Sequence, residues 1–263
     1  MRAIKLYSTG DIRTVDVDVP SPAKNEILIK VEAAGICGTD RHLYHGEFPS
    51  VPDKILGHEF SGIVVDSGET DIAEGARVTC DPNTWCGACS QCQRGRVNLC
   101  PNNLATGIHR DGGFAEFCVF PASKAVVLPD EINPLHGAFC EPLACTLHGM
   151  DMGAAREGET VLVIGGGVIG LMAVQLAKLA GAEVLLLTRS PEKQALGLNI
   201  GADYAVGAES EVRNIWPEGA DLVVECAGVS ATVTLSHKLA RSGGRVVILG
   251  VISQGEQVPI EPF

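Results

Sequence analysis

Apolar residues in the first 140 positions come in short runs separated by Gly, Pro and Asp turns. These are 26–31 (EILIKV), 62–65 (GIVV), 76–79 (ARVT) and 114–119 (FAEFCV). Runs of that length with turn residues between them predict the strands of a β-barrel or sandwich. Met1–Lys5 opens directly into another such stretch. Near residue 142 the pattern changes. Residues 142–152 read as a helix, and strands and helices then alternate: strand 160–164, helix 170–180, strand 183–187, helix 191–200, strand 204–206, strand 221–225, helix 232–240 and strand 245–249. That alternation predicts a parallel sheet built from βαβ units. The expected class is α/β, with a β-rich domain over 1–148 and a doubly wound parallel sheet over 149–263. The boundary is expected around 145–155. There is no internal repeat and no low-complexity segment.

Composition narrows the function classes. A chain of 263 residues fits one or two domains and can bury a sizeable core. The net charge of -12 argues against nucleic acid as a partner. The N-terminus lacks the apolar core and small-residue cleavage site of a secretory signal. The most apolar stretch, 161–187, is broken by Gly165, Gly166, Gly167, Gly170 and Gly181 and carries Gln175, Lys178 and Glu183. It reads as strand–turn–helix–strand and not as a membrane span. A soluble, cytoplasmic protein without a membrane partner is expected.

Cys86-x2-Cys89-x2-Cys92-x7-Cys100 places four thiols in one short loop. Zinc takes four soft ligands at tetrahedral corners, and a loop containing Gly87, Ala88 and Gly95 can wrap an ion, so a closed structural zinc site over about 86–100 is expected. Two alternatives are four unrelated cysteines and a disulfide pair. Ten cysteines without a signal peptide favour a reducing compartment and metal binding.

The strand 161–164 ends in Gly165-Gly166-Gly167-Val168-Ile169-Gly170 and opens a helix, the context a dinucleotide fingerprint needs. Gly165 allows the tight turn, Gly167 lets a pyrophosphate approach the backbone, and Gly170 lets helix and strand pack closely. The phosphates then face the positive end of the helix. The alternative is an ordinary glycine-rich turn. In the Rossmann arrangement an acidic residue at the end of the second strand selects NAD. Here the chain has Thr188-Arg189-Ser190, with Lys193 one helical turn on. An arginine can pair a 2'-phosphate bidentately and a hydroxyl can add a hydrogen bond, which favours NADP over NAD. Otherwise Arg189 is a solvated charge, and NAD binds without its usual anchor.

Two further segments hold candidate ligands: 35–42 (GICGTDRH) and 56–62 (LGHEFSG). Taken with the cysteine loop and the glycine fingerprint, in this order, they make the chain resemble the zinc-dependent medium-chain dehydrogenase/reductase superfamily. The segment 140–145 (CEPLAC) points to its polyol (sorbitol-type) and L-threonine dehydrogenase branch, because the alcohol dehydrogenase branch has a cysteine ligand where Glu141 stands. The resemblance implies a GroES-like catalytic domain followed by the Rossmann domain. It implies Cys37, His58 and Glu59 as ligands of a catalytic zinc, with Glu141 next to the open position, and so two zinc ions per chain. An alcohol is too weak an acid to lose its proton at neutral pH, so the metal acts as a Lewis acid. Thr39 would receive the alcohol proton, and His42 would pass it to solvent through the cofactor ribose. Asp40 would orient His58 from behind. Val168, Ile169, Gly250 and Val251 join the implied cofactor contacts.

Simpler readings stand beside these. Cys37 can be a buried apolar thiol, Glu59 can hydrogen-bond behind the metal, and His42 can be a surface histidine. His45, His109, His136, His148 and His237 have no motif around them and read as structural. Cys80, Cys118, Cys145 and Cys226 read as packing residues. Tyr44, Phe48 and Phe114 fit either a substrate pocket or the core.

Members of this family continue past the point where this chain stops. The resemblance therefore implies a cofactor sheet lacking its C-terminal part, in either a fragment or a shortened member. It also implies a homo-oligomer for the full-length form. The leading expectation is a zinc-dependent dehydrogenase moving a hydride from a secondary alcohol of a polyol, sugar acid or related small molecule to NAD(P). The alternatives are L-threonine 3-dehydrogenase and an inactive zinc- and dinucleotide-binding fragment.

Overall fold

The computed structural model describes residues 1–49 and 51–260. The chain forms two compact units, Met1–Glu141 and a second that begins at Pro142. The first unit contains strands β1 (Arg2–Ser8), β2 (Asp11–Asp16), β3 (Glu26–Gly35), β4 (Lys54–Ile55), β5 (Glu59–Asp66), β6 (Arg77–Cys80), β7 (Asn83–Thr84), β8 (Leu104–Ala105), β9 (Phe117–Pro121) and β10 (Ala125–Val127). Helices α1 (Gly38–His45), α2 (Ser90–Gln93) and α3 (Pro134–Ala138) join them, and α4 covers Cys140–Gly153. The expected boundary at 148/149 thus falls inside α4. The last three residues of the expected 149–263 domain lie outside the described residues.

The main sheet of the first unit is antiparallel, in the order β10-β6-β5-β3-β9. Ile27, Ile29, Phe60, Val64, Val78 and Phe120 fill its core. Each contributes about 1.5–3 kcal/mol by leaving water. The register of β3 on β5 shifts twice, at Leu28/Ile29 and Val31/Ala33, and ends with Gly35 opposite Glu59. Such irregularities re-aim side chains at a strand end. Here they bring Cys37, two residues past β3, beside His58 and Glu59. The short β7–β8 pair closes the neck from which residues 85–103 project. Lys124 holds that neck: its ammonium lies 2.7 Å from Asp81 and 3.0 Å above the Trp85 ring.

The second unit contains β11 (Thr160–Ile164), α5 (Val168–Leu179), β12 (Glu183–Leu187), α6 (Pro191–Asn199), β13 (Tyr204–Val206), α7 (Glu209–Ile215), β14 (Ala220–Glu225), α8 (Ser230–Leu239) and β15 (Ala240–Ile248). Its sheet is parallel throughout, in the order β13-β12-β11-β14-β15. That is the 3-2-1-4-5 succession of a Rossmann sheet. Val161 and Val163 feed one core cluster, and Leu162 and Ile164 feed the other. Alternate residues of one strand serving two cores is the mark of a sheet covered on both faces.

Several local expectations need adjustment. α5 starts at Val168 and not at 170, because the turn closes on Gly167 as its N-cap. β15 starts at Ala240 and not at 245. The run Ser242-Gly243-Gly244 reads as a turn in isolation, but a register shift between Ala220 and Leu222 accommodates it in the sheet. Cys80 and Cys118 are buried as expected, whereas Cys145, expected to be a packing residue, is exposed on α4. Phe48 and Phe114 pack against Leu6, Leu43 and Leu56. Among the described residues no helix is long and apolar enough to cross a membrane.

Candidate active site and zinc clusters

The ligand atoms of Cys37, His58 and Glu59 lie within 4.8 Å of one another. Each is set by a different backbone device. Cys37 is the N-cap of α1, in extended conformation, and its N–H donates to Asp40 Oδ2 at 2.8 Å. Gly57, with φ 93°, turns the chain immediately before His58. Glu59 opens β5 opposite Gly35, where any Cβ would collide with the Glu59 carboxylate. His58 and Glu59 are buried.

The electrostatics of this cluster suit a bound cation. Burial pushes the Cys37 thiol up to about 11, against hydrogen bonds from Thr39, and the Glu59 charge adds to the rise. Burial also raises the carboxyls of Glu59 and Asp40. Asp40 Oδ1 and His58 Nδ1 are buried without a hydrogen-bond partner and stand 3.7 Å apart. Three acids forced towards neutrality around a histidine are what a divalent ion relieves, since it binds the deprotonated forms. A second carboxylate behind the histidine is the usual support for a metal-bound imidazole.

Thr39 and His42 lie on α1, one in its first turn and one near its end. His42 Nδ1 is 2.7 Å from the Glu47 carboxylate. Glu47 is a contact that the sequence reading missed. Its signal is the Gly46 C-cap, which reverses the chain at the end of α1. Glu141 occupies the first turn of α4 and is not part of the Cys37–His58–Glu59 cluster.

Cys86, Cys89, Cys92 and Cys100 also lie with all sulfurs within 4.8 Å. The Cys86–Cys100 and Cys89–Cys100 sulfurs are 3.6 and 3.9 Å apart, and all four cysteines are free. Zinc–sulfur bonds of about 2.3 Å at tetrahedral angles put ligand sulfurs roughly 3.8 Å apart, so the spacing fits zinc. It is far from the roughly 2.05 Å of a disulfide. The N–H groups of Ala88 and Cys89 lower Cys86 to about 6.

In the second unit the loop Gly165–Gly167 joins β11 to α5. Gly165 has φ 106°, and a Cβ there would stand 2.9 Å from the Ala227 nitrogen. A Cβ on Gly170 would collide with the Gly165 carbonyl, while nothing lies within 4 Å of one built on Gly167. Close packing at Gly165 and Gly170 with open space at Gly167 is the division of labour of a phosphate-binding loop. Val168 and Ile169 form the first turn of α5. Thr188, Arg189 and Ser190 follow β12. Ser190 caps α6 by accepting from the Lys193 N–H, which leaves its O–H to donate elsewhere. Arg189 and Lys193 are exposed. A Cβ on Gly166 would meet Lys193 Cβ at 3.0 Å and Thr188 Oγ1 at 3.1 Å, so the glycine loop and the end of β12 form one site. Gly250 and Val251 follow β15, and the Gly250 N–H donates to the Glu225 carbonyl. Glu225, at the end of β14, is fully buried and was not singled out in the sequence.

Two family matches agree with this arrangement: the alcohol dehydrogenase GroES-like domain over residues 23–130 and the zinc-binding dehydrogenase domain over 168–263. The chain is 34% identical to sorbitol dehydrogenase of Halalkalibacterium halodurans, covering 95% of this chain and 76% of that protein. It is 37% identical to L-threonine 3-dehydrogenase of Bacillus licheniformis, covering 89% and 71%. A crystal structure from Sinorhizobium meliloti 1021, assigned as a zinc-binding dehydrogenase and bound to NADP, superposes with a TM-score of 0.96 at 55% identity. That match covers 100% of this chain and 80% of the other. The chain belongs to the zinc-dependent medium-chain dehydrogenase/reductase superfamily, in its polyol and threonine dehydrogenase branch. It is an oxidoreductase of the class that acts on CH–OH groups.

Proposed function

We propose that this chain oxidises a secondary alcohol of a polyol, sugar acid or similar small molecule with NADP. In this reading residues 1–148 form the catalytic domain and 149–263 the cofactor domain. Cys37, His58 and Glu59 hold a catalytic zinc, and Cys86, Cys89, Cys92 and Cys100 hold a structural one. The convergence of Cys37, His58 and Glu59 within 4.8 Å supports the reading most strongly.

When bound, the metal supplies the Lewis acidity that makes an alcohol acidic at neutral pH, and the nicotinamide supplies the hydride acceptor. The rest is done by side chains. Thr39 takes the alcohol proton at its hydroxyl oxygen, and His42 passes it on towards solvent. Glu47, 2.7 Å from His42 Nδ1, fixes the orientation of the ring. Asp40 supports His58 from the buried side. Glu141, at the first turn of α4, faces the substrate position in this reading. The open space at Gly167 and the free N–H groups of the first turn of α5 receive the pyrophosphate. Arg189, Ser190, Thr188 and Lys193 take the 2'-phosphate, and the NADP found in the 55% identical S. meliloti structure supports that preference.

L-threonine is the second substrate reading, favoured by the 37% identity to an L-threonine 3-dehydrogenase. Metal content tests the site directly. Elemental analysis of the purified chain is expected to give about two zinc ions, falling to about one in Cys37→Ser while the fold is retained. A wild-type value of one, unchanged by the substitution, contradicts the catalytic site.

A further inference from the structure

Glu225 is the one fully buried carboxylate among the described residues, at 0% exposure, and the chemistry above makes no use of it. Its partners are N–H and O–H groups and not cations. Oε1 accepts from the Ala227 N–H at 2.8 Å, the Gly228 N–H at 3.0 Å and the Thr232 hydroxyl at 2.7 Å, and Oε2 lies 3.3 Å from the Gly228 nitrogen. Its main-chain carbonyl accepts from Leu249 and Gly250 at 2.8 and 3.1 Å. One residue thus ties the loop after β14 to the end of β15.

That junction lies at the switch point of the sheet. β12 and β13 lie to one side of β11, and β14 and β15 to the other. In such sheets the ligand occupies the crevice at the carboxyl ends of the strands where the order reverses. Gly165 packs on Ala227, so the β14 loop is the neighbour of the phosphate loop. The 2'-phosphate end of the cofactor is assigned to the end of β12, and the opposite end must therefore cross onto the β14–β15 side. The space there is tightly set: a Cβ on Gly250 would stand 2.6 Å from Glu225 Oε2, and one on Gly228 would stand 2.6 Å from the Val251 carbonyl. Peptides are planar and trans, so turning the Ala227 and Gly228 N–H groups inward turns the Cys226 and Ala227 carbonyls away from the carboxylate. The loop then offers its outer side as acceptors.

We infer that Glu225 is a positioning residue that fixes the β14 loop as the rest for the nicotinamide-nucleoside half of the cofactor, without touching the cofactor itself. The inference depends on the dinucleotide reading above. A buried acceptor replaced by an amide leaves an N–H facing the Gly228 N–H, and the loop must move.

The test compares a whole cofactor with its adenosine half on zinc-loaded protein. Fluorescence titrations would measure Kd for NADPH, NADH and 2',5'-ADP in wild type, Glu225→Gln and Thr232→Val. The account predicts that Glu225→Gln weakens NADPH by about tenfold and leaves 2',5'-ADP within about twofold, with Thr232→Val showing the same split at smaller size. If Glu225→Gln does not fold, Thr232→Val decides alone. Parallel weakening of both ligands makes Glu225 merely structural and overturns the inference, as does no change in either. Wild type that binds neither NADPH nor NADH overturns the dinucleotide reading, and this inference with it.

Discussion

Gly35 and Glu59 face each other across β3 and β5, and the glycine leaves the space that the carboxylate fills. Nothing in the segment 35–42 marks Gly35 as different from Gly38, yet a Cβ on Gly38 would meet nothing within 4 Å. Gly35→Ala is therefore expected to displace Glu59 at an overpacking cost of about 1–3 kcal/mol. Zinc content should drop towards one ion per chain while the cysteine lobe stays loaded, and Gly38→Ala at its α1 position should keep both ions. Retention of two ions in Gly35→Ala would show that Glu59 is not held where the metal needs it. At this scale the sequence was legible wherever the candidate ligands are close in the chain. The cysteine spacing and the Gly165–Gly170 fingerprint each lie within one loop or turn. Glu47 beside His42 and Glu225 beneath the β14 loop were not legible, because each contact is made through chain reversals that only the folded backbone reveals.

Among the elements, the alternating strands and helices of the second unit were readable because near-continuous apolar runs, 161–164 and 184–187, are separated by helix-length segments. Strands 160–164, 183–187 and 204–206 match β11, β12 and β13. α1 and α7 were not readable. α1 buries only Asp40 and Leu43, and α7 buries only Val212, so neither carries an apolar stripe. The N-terminal end of the parallel sheet is laced by charge. Asp221 Oδ2 accepts from the Thr160 N–H and hydroxyl at 2.8 Å each, and Oδ1 accepts from Arg241 at 2.6 Å. Burial pushes the Asp221 carboxyl up, but these bonds outweigh it and the net shift is downward. Asp203 behaves alike through Lys178 and the Val184 N–H, and the Arg245 guanidinium lowers Glu159. A folded-state value below the unfolded one gives stability that is present above the unfolded value, about 3.8 for Asp, and lost as pH falls through the folded one. Asp221→Asn should cost about 1.5 kcal/mol at pH 7, the low end for a hydrogen bond to a charged group, because Asp221 and Arg241 are partly exposed. The gap between variant and wild type should narrow below about pH 4 in thermal melts. A gap that stays constant down to pH 3 would mean the carboxylate's charge contributes nothing.

The whole molecule joins a β-rich unit carrying both candidate metal clusters to a unit carrying the proposed dinucleotide crevice. Family, fold class and reaction class follow from that combination, and the substrate does not, because a sorbitol dehydrogenase and an L-threonine 3-dehydrogenase match the chain at similar identity. The central claim is best tested by the absorbance of reduced nicotinamide. The zinc-loaded chain would be given NADP or NAD in turn with a panel of polyols, sugar acids and L-threonine. The account predicts turnover of a secondary alcohol, with kcat/KM at least about tenfold higher for NADP than for NAD, the size of a charge-assisted pair at the 2'-phosphate. Turnover with NAD alone would contradict the roles given to Arg189, Ser190 and Lys193. No turnover with any pair, in protein shown to hold two zinc ions, would contradict the dehydrogenase reading of this chain.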